Sequence, residues 1–309
     1  MNFDFIMRTE RPLMSPRSAI ATVLDGLVDM HVHSGPSPFP RRFDHVEAAQ
    51  DGARIGMRAM VAKSHHHNTQ MDLLAMKDRL ADVEAQAFGG IALNSTVGGL
   101  NVHAVRMTLR MGGKVVWFPT ISSGRHIDCH PEDGAFPTTT VPLTLERIDI
   151  VDDAGALKPE VLEILDEIKD QRAVLNGGHM YPEYIRTLFQ EAHERGMKRM
   201  VVSHPDFVIG ADPALCRELI ELGAFIEHEV GMYDPEGTQK WDPKNLLTWI
   251  EALGPEHTVL ASDFGQKANP KPVDAWLRVG EALLDLGLPE KDLRRMVRDN
   301  PTYLLNLDA

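Results

Sequence analysis

Short apolar runs recur along the chain, each giving way to a polar, glycine-rich or histidine-bearing stretch. Eight of them read as strands. They are GLVDMHVH (26–33), MRAMVAKSH (57–65), GGIALN (89–94), KVVWFPT (114–120), AVLNGGH (173–179), RMVVSH (199–204), AFIEHEV (224–230) and TVLASDF (258–264). Their nearly continuous hydrophobicity suits strands covered on both faces, as in a parallel sheet. Between them, apolar positions fall at helical spacing in TQMDLLAMKDRLADVEAQ, KPEVLEILDEIKDQ, PEYIRTLFQEAHERG and PALCRELIELG. Several of these open with Thr, Asp or Pro and close with Gly, as helix ends prefer.

Eight strands alternating with helices predict an α/β chain folded as a single (β/α)8 TIM barrel over residues 25–309. Residues 1–24 read as an N-terminal arm or short helix, and 286–309 as a closing helix. The interval after the fourth strand is longer than the others. Residues 121–157 form an insertion there, ending in a segment that alternates and carries a turn signal like a hairpin. A doubly wound open sheet is the alternative, but no glycine-rich phosphate loop follows the first strand.

The bulk numbers narrow the function classes. At 309 residues and 43% hydrophobic, the chain can bury a large core. A formal net charge of −13 argues against nucleic acid or an anionic membrane as partner, since both need clustered Lys and Arg. Two cysteines, Cys129 and Cys216, are too few for a disulfide framework and fit a reducing compartment. There is no signal-peptide core and no apolar stretch long enough to span a bilayer, so a cytoplasmic protein acting on a small molecule is expected.

The chemistry sits where the strands end, because barrels of this kind carry active sites on that rim. Strand one ends with His31 and His33, strand two with Lys63 and His65–His67, strand five with His179, strand six with His204 and strand eight with Asp263. Alternation along a strand sends His31 and His33 the same way, into the barrel. Two imidazoles and a carboxylate on one face make a candidate metal site. Asp29, two positions before His31, is expected to share its facing and to orient a ligand histidine, with Ser262 beside the aspartate. Substrate contacts are expected from Asn94, Thr120, Tyr181, Glu229 and Gln266, at or just past strand ends. The 121–157 insertion is the candidate lid, and its Arg125 the candidate partner of a carboxylate or phosphate. Its HIDCH run, with one cysteine and two histidines, falls short of a structural zinc site.

VDMHVH, the isolated histidines after strands five and six, and ASDFG at strand eight resemble the amidohydrolase superfamily of metal-dependent hydrolases. The tail DNPTYLLNL is similar to the closing helix of many members, so the likeness runs from Asp29 to Leu307. It implies that His31, His33 and Asp263 hold a buried divalent ion, and that His179 and His204 hold a second one or assist at the first. Zinc is the first choice, with manganese, iron or nickel as alternatives. It further implies water activated by metal, with Asp263 as acid–base and His204 assisting. The family's bridging carboxylated lysine on strand four has no counterpart, since KVVWFPT carries its lysine, Lys114, at the wrong end. Lys63, sharing a face with His65, is the candidate replacement; an unmodified Lys63 would instead bind an anionic substrate group.

Three readings follow. The first is a hydrolase cleaving an amide, lactone, ester or related bond. The second keeps the fold but makes it a mononuclear decarboxylase or hydratase. The third is a barrel that binds metal or a small molecule without catalysis. Homo-oligomerisation is expected from family habit alone.

Overall fold

In the computed structural model, which describes residues 19–130, 140, 143 and 146–307, the apolar runs become parallel strands. They are β1 (Val28–Val32), β2 (Ala59–Ala62), β3 (Gln86–Phe88), β4 (Gly90–Ala92), β5 (Val115–Trp117), β6 (Val174–Asn176), β7 (Met200–Ser203), β8 (Ala224–Glu229) and β9 (Thr258–Ala261). β3 and β4 form one barrel strand interrupted at Gly89, so the third strand begins at Gln86 rather than at Gly89. The helix Thr69–Ala75 causes the interruption. Gly89 N–H donates to Gln70 Oε1 at 3.0 Å, Gly90 N–H donates to Thr69 Oγ1 at 3.0 Å, and a Cβ on Gly89 would lie 2.4 Å from Gln70 N.

Pairing runs β1–β2–β3 and then β4–β5–β6–β7–β8–β9. The ring closes between β1 and the residues just past β9. Asp263 N–H donates to His31 O at 2.8 Å, His33 N–H donates to Phe264 O at 2.9 Å, and Val32 bridges Phe264 in parallel. The fold is therefore the expected (β/α)8 barrel. Five of its helices, beginning at Pro159, Pro182, Pro213, Pro243 and Pro272, start with proline, whose fixed φ suits a first helical position.

Alternate strand residues sort into two cores. Met60, Val116, Leu175, Val202, Ile226 and Leu260 pack outward against the helices. Val28, Met30, Val61, Trp117, Val201 and Val259 fill the interior, where Leu304 and Leu305 of the closing helix Asn300–Leu305 join them. The bottom of the barrel is thus apolar, and the candidate histidines and Asp263 sit at the opposite rim.

Strand β1 breaks the simple alternation. Its pairing with β2 slips between Asp29 and Val32. Val28 and Met30 belong to the interior core whereas Val32 packs outward. Counting by twos from Asp29 therefore fails, and the expectation that Asp29 faces with His31 is corrected. Asp29 Oδ2 accepts from Trp276 Nε1 at 2.9 Å, and its Oδ1 accepts from the backbone N–H of His31 and of Ser262. It ties backbone together and does not touch a histidine ring. Bulges of this kind re-aim side chains next to active sites.

The helix Ala19–Val23 precedes β1; residues 1–18 of the expected arm lie outside the described residues. Of the insertion, Gly124–Cys129 is a helix capped by Ser123, and Val151 bridges Leu157 across a tight antiparallel turn. Residues 131–139 of the expected lid lie outside the described residues. No helix among the described residues is long and apolar enough to cross a membrane.

Candidate metal centre

Strand ends β1, β2, β6, β7 and β9 bring His31, His33, Lys63, His65, His179, His204 and Asp263 together. Asp263 Oδ1 is 3.0 Å from His31 Nε2 and 3.0 Å from His33 Nε2, while Oδ2 is 4.0 Å from His204 Nε2. Ring centroids of His31 and His204, and of His204 and His179, lie 5.3 and 5.0 Å apart. His179 Nε2 is buried without a hydrogen-bond partner. The imidazole nitrogens of His31 and His33 and a carboxylate oxygen of Asp263 converge on one point and form a donor set suited to a borderline divalent cation. The residues present fit such an ion.

Two of the donors stand on strained backbone. His204 has φ of +55° and Asp263 φ of +54°, in the left-handed region that side chains other than Gly and Asn seldom occupy. Each such residue turns its chain sharply at the strand end and swings its side chain over the barrel mouth. At the third site the turn is made by glycine instead: Gly178, φ +62°, would carry a Cβ 2.2 Å from Phe118 O.

Behind four of the imidazoles lies a hydrogen-bond partner for the other nitrogen, whereas His204 Nδ1 has no hydrogen bond and only Glu229 beside it. His31 Nδ1 pairs with Glu227 Oε1 at 3.0 Å, and Glu227 also accepts from Ser203 Oγ at 2.6 Å. His204 Nδ1 lies 3.3 Å from Glu229 Oε2, and its backbone N–H donates to Glu229 Oε1 at 3.2 Å. His33 Nδ1 donates to Lys63 O at 3.1 Å. His65 Nδ1 meets Thr120 Oγ1 at 2.8 Å, and Asn94 Nδ2 donates both to that hydroxyl at 2.6 Å and to His65 O at 2.8 Å. His179 Nδ1 meets His126 Nδ1 at 2.9 Å. His33 Nε2 and His179 Nε2 are thereby turned to the centre, the arrangement by which outer partners set the tautomer of a ligating histidine, while His31 Nε2 also meets Lys63 Nζ at 2.9 Å.

The charges are sorted by the same contacts. Burial opposes ionisation of Asp263, but the neighbouring His31 outweighs it and holds the carboxyl well below its ordinary range. Burial pushes His33 and His126 down to about 3, so both are neutral. Glu227 and Glu229 separate: burial and the charge of Glu227 raise Glu229 well above its ordinary value, whereas the hydrogen bond from His31 overcomes burial and lowers Glu227. Burial lowers Lys63, whose Nζ sits 2.9 Å from His31 Nε2.

A cavity of about 790 Å³ opens over the centre, lined by His33, His65, His179, His204 and Asp263 together with Phe39, Arg41, Phe207, Met232, Gln266 and Lys267. The expected substrate residues scatter. Gln266 lines the cavity, but its amide already donates to Asp263 O and accepts from Asn269 Nδ2. Asn94, Thr120 and Glu229 are buried behind His65 and His204 and do not reach it. Arg125 Nε donates to Val208 O at 2.9 Å, and the Tyr181 hydroxyl donates to Asp128; neither side chain lines the cavity. His66 packs edge-on against Phe39, and His67 pairs with Asp72. Sequence reasoning missed Glu227 and Arg41, and weighed His126 only as part of the HIDCH run. The two glutamates of AFIEHEV, flanking His228 in a fully buried strand, are the available signal for Glu227.

Comparisons with known proteins bear on the fold. A profile of a family of unknown function (DUF6282) matches residues 26–227. Comparison with curated proteins gives no match. Among solved structures, an amidohydrolase from Pseudomonas aeruginosa superposes with a TM-score of 0.63 at 12% identity, covering 93% of this chain and 97% of its own. A lactonase from Listeria monocytogenes gives 0.60 at 14% identity, with 92% and 95% covered. An organophosphorus hydrolase from Deinococcus radiodurans gives 0.53 at 15% identity, with 92% and 93% covered. The chain has the fold of these amidohydrolase-superfamily proteins.

Proposed function

The chain belongs to DUF6282, a family of unknown function, and from that premise we propose that it is a metal-dependent hydrolase of an amide, lactone, ester or related bond in a small molecule. One observation carries the reading: His31 Nε2 and His33 Nε2 both lie 3.0 Å from the same oxygen of Asp263, at the floor of a cavity sized for a small molecule. The structural neighbours named as a lactonase and an organophosphorus hydrolase support the reaction class.

His31, His33 and Asp263 would hold the ion, with His65, His179 and His204 on the opposite side. A divalent cation, zinc by preference, supplies Lewis acidity there, polarising a substrate oxygen and bringing the pKa of water toward roughly 7. Asp263, kept ionised, takes the proton of the attacking water and returns it to the leaving group. His204, whose Nε2 lies 4.0 Å from Asp263 Oδ2, would assist as a further ligand at the ion. Phe39, Phe207 and Phe264 give the cavity an apolar wall.

A second reading rests on the end of β5. Phe118, Pro119 and Thr120 offer no bridging side chain there, so a bridge between two ions would come from Lys63 as a carbamate; with one ion, a decarboxylase or hydratase is the alternative. The deciding experiment is elemental analysis of the purified protein, followed by turnover on ester, lactone and amide panels before and after chelation. Stoichiometric metal with hydrolysis lost on chelation and restored on reloading is the expected result. Carbon dioxide release in place of hydrolysis favours the second reading, and metal without turnover a binding barrel.

A further inference from the structure

Arg41 reaches the cavity from the loop after β1, its guanidinium 5.6 Å from the centre of the Phe39 ring and in the field of Asp263 but paired with no carboxylate. Among the described residues no carboxylate lies within 4 Å of its guanidinium, and its buried Nε has no hydrogen-bond partner. The nearest polar atom it meets is His33 Nδ1, 3.4 Å from one terminal nitrogen. That nitrogen is already committed, because a His33 that presents Nε2 to the centre carries its proton on Nδ1 and donates it to Lys63 O at 3.1 Å. Arg41 therefore faces a donor where it needs an acceptor. A half-buried guanidinium without an anion is costly unless something brings one.

Its position is fixed in advance. Arg42, next in sequence, donates from its backbone to Gly265 O at 2.9 Å, from Nε to Asn269 O at 2.6 Å and from a terminal nitrogen to Lys267 O at 3.0 Å. Arg41 itself bridges Gln266 in antiparallel sense. The loop after β1 is stitched to the loop after β9, so the guanidinium needs no rearrangement to receive a ligand.

The cavity's charge agrees. In a chain of net charge −13, the cavity lining contains Arg41 and Lys267 and a single acid, Asp263, which the metal reading consumes. The rest of the wall that is not histidine is largely apolar, with Phe39, Phe207, Val208, Met232 and Phe264. We infer that the substrate is a small carboxylate with an apolar body, its carboxylate gripped by Arg41 while its scissile bond lies at the His33–Asp263 end. Only the His33 imidazole separates Arg41 from the metal position, so the carboxylate is a few bonds from the reacting atom. Arg41 is then the specificity residue, a planar fork matched to a carboxylate. The inference rests on the hydrolase reading for the scissile bond, but not for the anion.

The test is calorimetric binding of phenylacetate, phenylacetamide and phenylphosphonate to the metal-loaded protein, its Arg41→Met and Arg41→Lys variants, and Lys267→Met. The expected result is phenylacetate bound at least tenfold more tightly than phenylacetamide, about 10–100-fold weaker in Arg41→Met, as for loss of a charge-assisted pair. Arg41→Lys should recover part of the loss, and Lys267→Met should change little. Equal affinity for acid and amide, or acid preference intact in Arg41→Met, overturns the inference, the latter because the metal alone then takes the anion. Tighter phosphonate binding that depends on Arg41 overturns the carboxylate assignment. If Arg41→Met does not fold, Arg41→Lys decides, since loss of the fork must weaken the acid selectively. Metal content of the same samples separates the two claims: metal retained with no Arg41-dependent selectivity sinks this inference alone, whereas metal-independent protein with Arg41-dependent binding sinks the hydrolase.

Discussion

Lys63 Nζ lies 2.9 Å from His31 Nε2, so an ammonium and an imidazole meet where a cation would be held. A nitrogen that accepts from the lysine cannot ligate at the same moment. Burial lowers the lysine's pKa and favours the neutral amine, the form that adds carbon dioxide. Carboxylation would turn the competitor into an anionic bridge. If so, protein grown with isotopically labelled bicarbonate carries a carbamate signal, and Lys63→Ala loses one of two ions with turnover down by about 100-fold. Two ions held tightly by Lys63→Ala would remove the bridge.

Glu227 should act through His31. Replacing it with Gln keeps the shape and removes the charge behind the ring, while Ser203 retains a partner. Metal affinity, measured by chelator competition, should weaken about 10–100-fold with the fold intact. Unchanged affinity would make Glu227 a packing residue only.

Asp72 predicts a pH dependence away from the centre. Its Oδ2 is 2.6 Å from His67 Nε2 and 3.4 Å from His45 Nε2. Burial opposes the charge, yet these hydrogen bonds outweigh it and bring the pKa down to about 2. Because the folded value is below the unfolded one, the stabilisation is complete above about pH 4 and is lost as pH falls toward 2. Solvent screening limits it to about 1 kcal/mol. Asp72→Asn should therefore unfold more easily than the parent at pH 6, by denaturant titration, with the gap closing in acid. A gap independent of pH would point to packing.

The two cysteines should differ in reactivity. Cys216 is sealed in the helix Pro213–Glu221, where burial pushes its thiol up to about 12, and Cys129 is half-buried at the end of its helix. A thiol reagent at neutral pH should label Cys129 in the native protein and Cys216 only after denaturation. Rapid labelling of both would mean the 213–221 helix opens readily.

Legibility in the sequence followed the length of the signal. The strand runs, each bounded by polar turns, gave the barrel and its order, because a buried parallel strand must be apolar throughout. His31, His33, His179, His204 and Asp263 were readable since each interrupts such a run at its end. Asp29 was misread because alternation cannot reveal a slipped register, which depends on the neighbouring strand. Asn94 and Thr120 were placed at the right strand ends but given substrate to hold, when their hydrogen bonds turn toward His65. Arg41 lies in a loop with no periodicity, eight residues past His33, and only the pairing of that loop with residues 265–269 brings it to the cavity.

The seam that completes the ring is made by the donors' own backbone, Asp263 N–H to His31 O and His33 N–H to Phe264 O. Residues at opposite ends of the chain must dock before a carboxylate ever meets the imidazoles. A ribosome-bound or proteolysed fragment that stops short of residue 258 would own the histidines yet be chemically mute. Competence on this reading waits for the pairing of greatest sequence separation in the barrel, which loop-closure entropy makes a late one to form.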